Sequence, residues 1–196
     1  MPKRMLRAEL QIQDWVEGLA GIPAAEFTQD NVQNYILEHA IRPSSLETFT
    51  FFSSEHYTRN LIFKNGVFEC LALCWDIGQS SSIHDHNDKL GWIYLASGRL
   101  FVQNYHVEER DPIHCTCHLI PTEAAELGAD QAYVDREEAV HKLCNLPRFN
   151  QRAISVHVYQ QPMSQCEVYS LQTGTFEVVQ LSYTGELGRL NPGVKL

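Results

Sequence analysis

From residue 48 onward, apolar, aromatic and β-branched residues fall in short runs separated by turn-formers. The runs cover 48–52, 57–63, 67–75, 92–95, 100–107, 115–120, 131–135, 140–143, 153–159, 166–171 and 176–182. Many short strands at such spacing predict an all-β double-sheet jelly roll or barrel. Lys64-Asn65-Gly66 reads as a hairpin turn, and Ser97-Gly98 as another. Before residue 44 the period changes. Residues 7–20 carry Leu10, Ile12, Trp15, Val16 and Leu19 close to helical spacing, and Gly21-Ile22-Pro23 closes that run. Thr28 or Asp30 is placed to cap a second helix through Val32, Tyr35, Ile36 and Leu37, with Pro43-Ser44-Ser45 as its stop. Residues 1–43 are therefore expected as helices packed on a barrel formed by residues 44–196, the whole being one domain.

Two places break the apolar pattern in ways that suggest chemistry. His84 and His86 lie two apart, between a serine-rich approach and the apolar run Trp92-Ile93-Tyr94-Leu95. On a strand, positions i and i+2 share a face, so both imidazoles can reach one point. A borderline divalent cation such as Fe(II), Zn or Ni suits that pair. A third ligand is then needed, and His141, His157, His106, His114 and His118 are the candidates. In the run 153–159, Ser155, His157 and Tyr159 alternate with apolar neighbours, giving one polar face. Inside a barrel such a face is tolerated only if its groups hydrogen-bond one another, and a Ser–His–Tyr chain does so. Arg59, in an otherwise apolar run, either reaches the rim or awaits a carboxylate. His114-Cys115-Thr116-Cys117-His118 could bind zinc, but on a strand its cysteines and histidines face opposite ways.

Composition narrows the partners. With 196 residues, 44% hydrophobic and 20% charged, the chain has ordinary globular composition. A net charge of −9 argues against nucleic acid and anionic membranes. No apolar run approaches the roughly 20 residues needed to span a bilayer, and the basic N-terminus lacks the apolar core of a signal peptide. Six dispersed cysteines are expected to be reduced, in a cytoplasmic protein.

The spacing Gly78, His84, His86, Gly91, Gly98 resembles the first motif of the cupin superfamily, although most cupins carry a ligating Glu where Gly91 stands. The branch that resembles this chain without that Glu is the cysteine dioxygenase family. Tyr57-Thr58-Arg59-Asn60-Leu61, Cys74-Trp75, Ser81-Ser82-Ile83-His84-Asp85-His86, His141 and Ser155-Val156-His157-Val158-Tyr159 are similar to that family's blocks, in its order, over about residues 45–190. The resemblance implies a cupin-type jelly-roll barrel with a short N-terminal helical segment. It implies one Fe(II) per chain on His84, His86 and His141, the last followed by Asn145 as in the second cupin motif. It gives Tyr159 a place in the pocket, oriented by His157 and Ser155. It puts Arg59 and Tyr57 on a substrate carboxylate, and Cys166 at the pocket rim.

The implied reaction is oxidation of the L-cysteine thiol by O2 to cysteine sulfinic acid, in a monomer whose partners are a small-molecule thiol and O2. A sister activity on 3-mercaptopropionate resembles this one with Gln at the Arg59 position, so Arg59 favours cysteine. A zinc or nickel cupin, an isomerase or a small-molecule binding protein, is the alternative of another class; such cupins usually keep the Glu missing at Gly91. Mammalian-type members carry at the Gly91 position a cysteine that cross-links to the tyrosine matching Tyr159. Gly91 has no thiol, so Tyr159 is expected without that link, as in the bacterial branch. No cis-proline is expected at Pro162.

Overall fold

A computed structural model describes residues 7–134, 139–194 and 196. The basic stretch before Arg7 and Asp135, the end of the expected strand 131–135, lie outside the described residues.

The chain opens with β1 (Ala8–Leu10), α1 (Ile12–Ala20), α2 (Gln29–Glu38) and β2 (His39–Ile41). The strands of the main body are β3 (Thr58–Lys64), β4 (Phe68–Trp75), β5 (Ile83–His84), β6 (Gly91–Ser97), β7 (Arg99–Asp111), β8 (Thr116–Gly128), β9 (Gln131–Val134), β10 (Val140–Cys144), β11 (Ala153–Gln160), β12 (Gln165–Ser170), β13 (Thr175–Gln180), β14 (Gly185–Glu186) and β15 (Arg189–Leu190). They form two layers. One is a closed array in the order β10-β5-β12-β13-β8-β7, the other a seven-stranded sheet in the order β15-β14-β3-β4-β11-β6-β9. This is the expected all-β cupin-type jelly-roll barrel.

Three local expectations change. Residues 7–11 do not continue α1: β1 pairs in parallel with β2, and Gln11 precedes the helix in extended conformation. Residues 48–52 form no strand. A 3-10 helix, Pro43–Phe49, occupies the place, with proline at its start, Leu46 and Phe49 buried three apart, and the Thr50 hydroxyl donating to the Leu46 carbonyl at 2.8 Å. Ser97-Gly98 makes no hairpin: β6 belongs to one sheet and β7 to the other. Gly98 is the corner between them, at φ +80, and a Cβ there would lie 2.4 Å from the Arg152 carbonyl. The Lys64-Asn65-Gly66 turn does join antiparallel neighbours, β3 and β4, with Asn65 Oδ1 accepting from the amides of Val67 and Phe68. Thr28 caps α2 through the Asn31 amide at 3.4 Å.

Alternation along β4 and β11 explains which side groups face the site. Phe68, Cys70 and Ala72 of β4, with Val156 and Val158 of β11, join Ile12, Trp15, Leu19, Phe27, Val32 and Ile36 in one apolar cluster. Phe27 stacks on Phe68, ring centroids 5.1 Å apart. The N-terminal helices thus cover the outer face of the seven-stranded sheet. The other face of the same strands, with Leu71, Leu73, Trp75 and Tyr159, turns to the interior between the layers. A strand apolar on its helix-covered side can direct Ser155, His157 and Tyr159 inward only because both sides are sealed.

Candidate metal centre

His84 and His141 are directly opposed in the antiparallel pair β5–β10, which sets their side chains on one face. The loop to β5 is tied to β10 by Ser81, whose amide donates to the Leu143 carbonyl at 2.9 Å and whose Oγ accepts from the Leu143 amide at 3.0 Å. Asn145, fully buried, pins the base of that loop, its Nδ2 donating to the carbonyls of Trp75, Asp76 and Gln151. β5 ends at His84, and His86 follows in a turn closed by the Lys89 amide on the His86 carbonyl. The strand logic for His-x-His therefore holds for its first residue, while the turn delivers the second.

The three rings converge. His84 and His86 have centroids 5.3 Å apart, His84 and His141 4.8 Å, and His86 and His141 4.9 Å. One ligand nitrogen from each lies within 4.8 Å of the others, and this is the one such cluster among the described residues. Burial first, then the neighbouring His141, lowers the pKa of His84 to about 3; burial lowers that of His141 to about 4. Neutral imidazoles are what a metal takes, and three of them fit a cation of intermediate softness. His84 Nδ1 lies 3.0 Å from the Ser82 carbonyl, an acceptor only, so that nitrogen carries the proton and Nε2 is left as the atom that would face a metal. Of the other candidates, His106, His114 and His118 are exposed on β7, β8 and the turn between. His114 Nδ1 lies 2.7 Å from Asp111, and Cys115 is exposed while Cys117 is buried, so that segment gathers no second ligand set.

His157 belongs to a different construction. Its Nε2 lies 2.8 Å from Ser155 Oγ and its Nδ1 3.0 Å from the Tyr159 hydroxyl. Trp75 Nε1 donates to Ser155 Oγ at 2.9 Å. An indole N–H can only donate, so Ser155 accepts there. Among the described acceptors, the Ser155 proton then has His157 Nε2 to point at. With Ser155 donating to Nε2, His157 donates from Nδ1 to the tyrosine oxygen, the polarity that the Trp75 bond favours. Burial, with the surrounding histidines next, holds His157 well below its ordinary pKa, which keeps the ring neutral. In the sequence Trp75 stands in the block Cys74-Trp75 that resembles the family, but its hydrogen-bond partner is 80 residues away.

A cavity of about 310 Å³ lies between the layers, lined by Tyr57, Arg59, His84, His157, Tyr159 and Cys166 among others. Tyr57 stacks on Trp75 with centroids 4.4 Å apart. Burial pushes the Cys166 thiol up to about 11, so at neutral pH it is a protonated thiol. Gly91 is the direct cross-strand neighbour of Tyr159 and presents no side chain to it. Every described peptide bond is trans, including that before Pro162.

The family profile described as cysteine dioxygenase type I matches residues 10–172. This chain belongs to the cysteine dioxygenase type I family. Cysteine dioxygenase type 1 of Danio rerio is 28% identical over 165 residues, 83% of this chain and 80% of that protein. The Rattus norvegicus enzyme of the same name is 27% identical over 169 residues, 85% of this chain and 82% of its own length, and the Homo sapiens one 25% over the same shares. Among solved structures, a Klebsiella pneumoniae protein with a double-stranded β-helix domain aligns at TM-score 0.45 and 14% identity, over 69% of this chain and 95% of that one. Membership of this family makes the chain a dioxygenase-type oxidoreductase, and His84, His86 and His141 form a group that could hold a metal ion. No described helix is long and apolar enough to cross a membrane.

Proposed function

We propose that this protein is a mononuclear non-haem Fe(II) thiol dioxygenase, converting L-cysteine and O2 to cysteine sulfinic acid. The supporting observation is the three-histidine cluster of His84, His86 and His141, with His84 lining one cavity together with Arg59 and Tyr159. The reaction balances as RSH + O2 giving RSO2H, both oxygen atoms entering the product and the sulfur losing four electrons. His84, His86 and His141 would hold the iron, which when bound supplies the redox centre that lets the thiol and O2 react. Arg59 would take the substrate carboxylate with its planar fork, which suits that anion better than an ammonium would. Tyr57, stacked on Trp75, adds a hydroxyl beside it. Together they turn a flexible substrate into a positioned one. Tyr159, held by His157 and Ser155, offers its proton to the reacting sulfur end. Cys166 forms the rim. All six cysteines are unpaired, which accords with a reducing cytoplasm.

The test is O2 uptake by the iron-loaded protein with L-cysteine and with 3-mercaptopropionate, alongside metal analysis. One O2 consumed per cysteine, sulfinate as product and a higher kcat/KM for cysteine are expected. Preference for 3-mercaptopropionate would overturn the substrate, and zinc or nickel occupancy without thiol-dependent O2 uptake would overturn the reaction.

A further inference from the structure

Glu69 is a completely buried carboxylate that the proposed reaction does not use. It sits on β4 at the parity of Leu71, Leu73 and Trp75, facing the interior, opposite Tyr159 on one side and Lys64 on the other. A buried carboxylate is unfavourable unless hydrogen-bonded. Two donors meet it: the Tyr183 hydroxyl at 2.6 Å from Oε2 and the Met163 amide at 3.2 Å from Oε1. Each comes from a segment that walls the cavity, since Met163 lines it beside Cys166, and Leu181 lines it just before Tyr183.

Tyr183 leads on to Arg59. Its ring centroid lies 5.9 Å from the guanidinium carbon, within cation–π range. The Ser182 carbonyl accepts from Arg59 Nη1 at 3.3 Å. The main chain of Arg59 is bracketed by the same segment: its amide donates to Thr184 Oγ1 at 3.1 Å, and its carbonyl accepts from the Thr184 amide at 2.7 Å. Residues 182–184 thus hold Arg59 at backbone, side chain and ring face. They lie beyond residues 10–172, which match the family profile.

We propose that Glu69 and Tyr183 are positioning residues that fix the Arg59 guanidinium for a carboxylate-bearing thiol, and so set substrate affinity without touching the reacting atoms. This rests on the carboxylate role given to Arg59 above. The hydroxyl–carboxylate bond pins the ring, and the ring and Ser182 pin the fork of Arg59, which lines the cavity. Preorganisation of this kind acts on binding, because the fork is already ordered before the anion arrives.

The experiment is anaerobic titration of the iron-loaded protein with L-cysteine and with 2-mercaptoethylamine, which lacks the carboxylate, followed by tryptophan fluorescence of the Trp75–Tyr57 stack, together with kcat and KM. Tyr183→Phe keeps the ring and removes the phenol. It is expected to weaken L-cysteine binding and raise KM about three- to tenfold, the size of one lost hydrogen bond, with kcat changed less than about twofold. Binding of 2-mercaptoethylamine should not move. Glu69→Gln should retain near wild-type affinity, because the amide oxygen can accept from the Met163 amide while its NH2 donates to the phenol oxygen. Arg59→Ala separates the two ideas. If it weakens cysteine binding while Tyr183→Phe does not, the clamp is wrong and the carboxylate role of Arg59 stands. If neither variant alters binding, the carboxylate role falls and the clamp falls with it. A Tyr183→Phe protein that loses affinity for both thiols equally has suffered general damage to the cavity, which also overturns the proposal.

Discussion

A donor that cannot accept gives direction to a chain of groups that can do both. Trp75 is that donor here, and its bond to Ser155 Oγ takes one of the hydroxyl's lone pairs and favours donation from Ser155 towards His157. Trp75→Phe preserves an aromatic ring against Tyr57 but lets Ser155 and His157 reverse. A fall in kcat of about five- to tenfold is expected, the worth of roughly one hydrogen bond, with bound iron unchanged; an unaltered kcat would mean that the relay polarity is set elsewhere. Tyr159→Phe should keep the metal and lose about 10²–10⁴-fold in rate, as removal of a proton-transfer or hydrogen-bonding partner does. His141→Ala, by contrast, should lose the iron, and full metal content by elemental analysis would show that the third ligand is another residue. The relay was legible because Ser155, His157 and Tyr159 recur at period two on one strand. The His84–His86 pair was read by the same logic, which holds for His84 alone, since the turn after β5 delivers His86. The convergence of His141 on them came from cross-strand pairing, which residue spacing does not encode. Glu69, Tyr183 and the hydrogen bond of Trp75 went unread because the partners lie far off in sequence, Trp75–Ser155 being 80, Glu69–Tyr183 114 and Arg59–Ser182 123 apart.

At the level of elements, turns differ in whether their purpose is local. Asn65 closes β3 onto β4 with its own side chain, so that hairpin could be read from three residues. Gly98 looks the same in sequence, yet it carries the chain from one sheet to the other against the backbone of residues 152 and 153. No property of Ser97-Gly98 alone distinguishes those uses. Gly98→Ala tests the difference. A side chain at φ +80 is strained by about 1–2 kcal/mol, and its Cβ would meet the Arg152 carbonyl at 2.4 Å and Ala153 Cα at 2.7 Å. The melting temperature should fall by at least about 4 °C in a domain of this size, whereas Gly66→Ala, with nothing within 4 Å of the added carbon, should shift it far less. Equal effects would mean that the corner relaxes freely. The stretch 48–52 was misread for a related reason. Its apolar residues suit a strand, but Pro43 starts a 3-10 helix that buries Leu46 and Phe49.

Across the whole molecule, one apolar cluster runs from α1 and α2 through the outer faces of β4, β6 and β11, and the inner faces of β4 and β11 carry the relay. Helices and barrel should therefore melt in a single cooperative transition, and the buried histidines make that transition depend on pH in a stated direction. His84 and His141 titrate at about 3 and about 4 when folded, against an unfolded value of 6.5. Above pH 6.5 neither state binds these protons, and the stability they contribute is complete. As pH falls from 6.5 towards 4, the unfolded chain takes up protons that the folded one refuses, so the metal-free protein loses stability throughout that window. Below about 3 the folded state binds them too, and this contribution to the slope ends. Metal sharpens the effect: it binds the neutral rings of the folded state only, so it raises the melting temperature at pH 7.5 and is displaced by protons on the way down. Calorimetry in chelator at pH 7.5, 6.0 and 5.0 should give a steadily falling melting temperature, and added Fe(II) under anaerobic conditions should widen the gap between pH 7.5 and 5.0. A metal-free melting temperature that stays level from 7.5 to 5.0 would mean that the three imidazoles are solvated and charge freely, and the converged, dehydrated ligand set on which the iron site depends would not exist in solution.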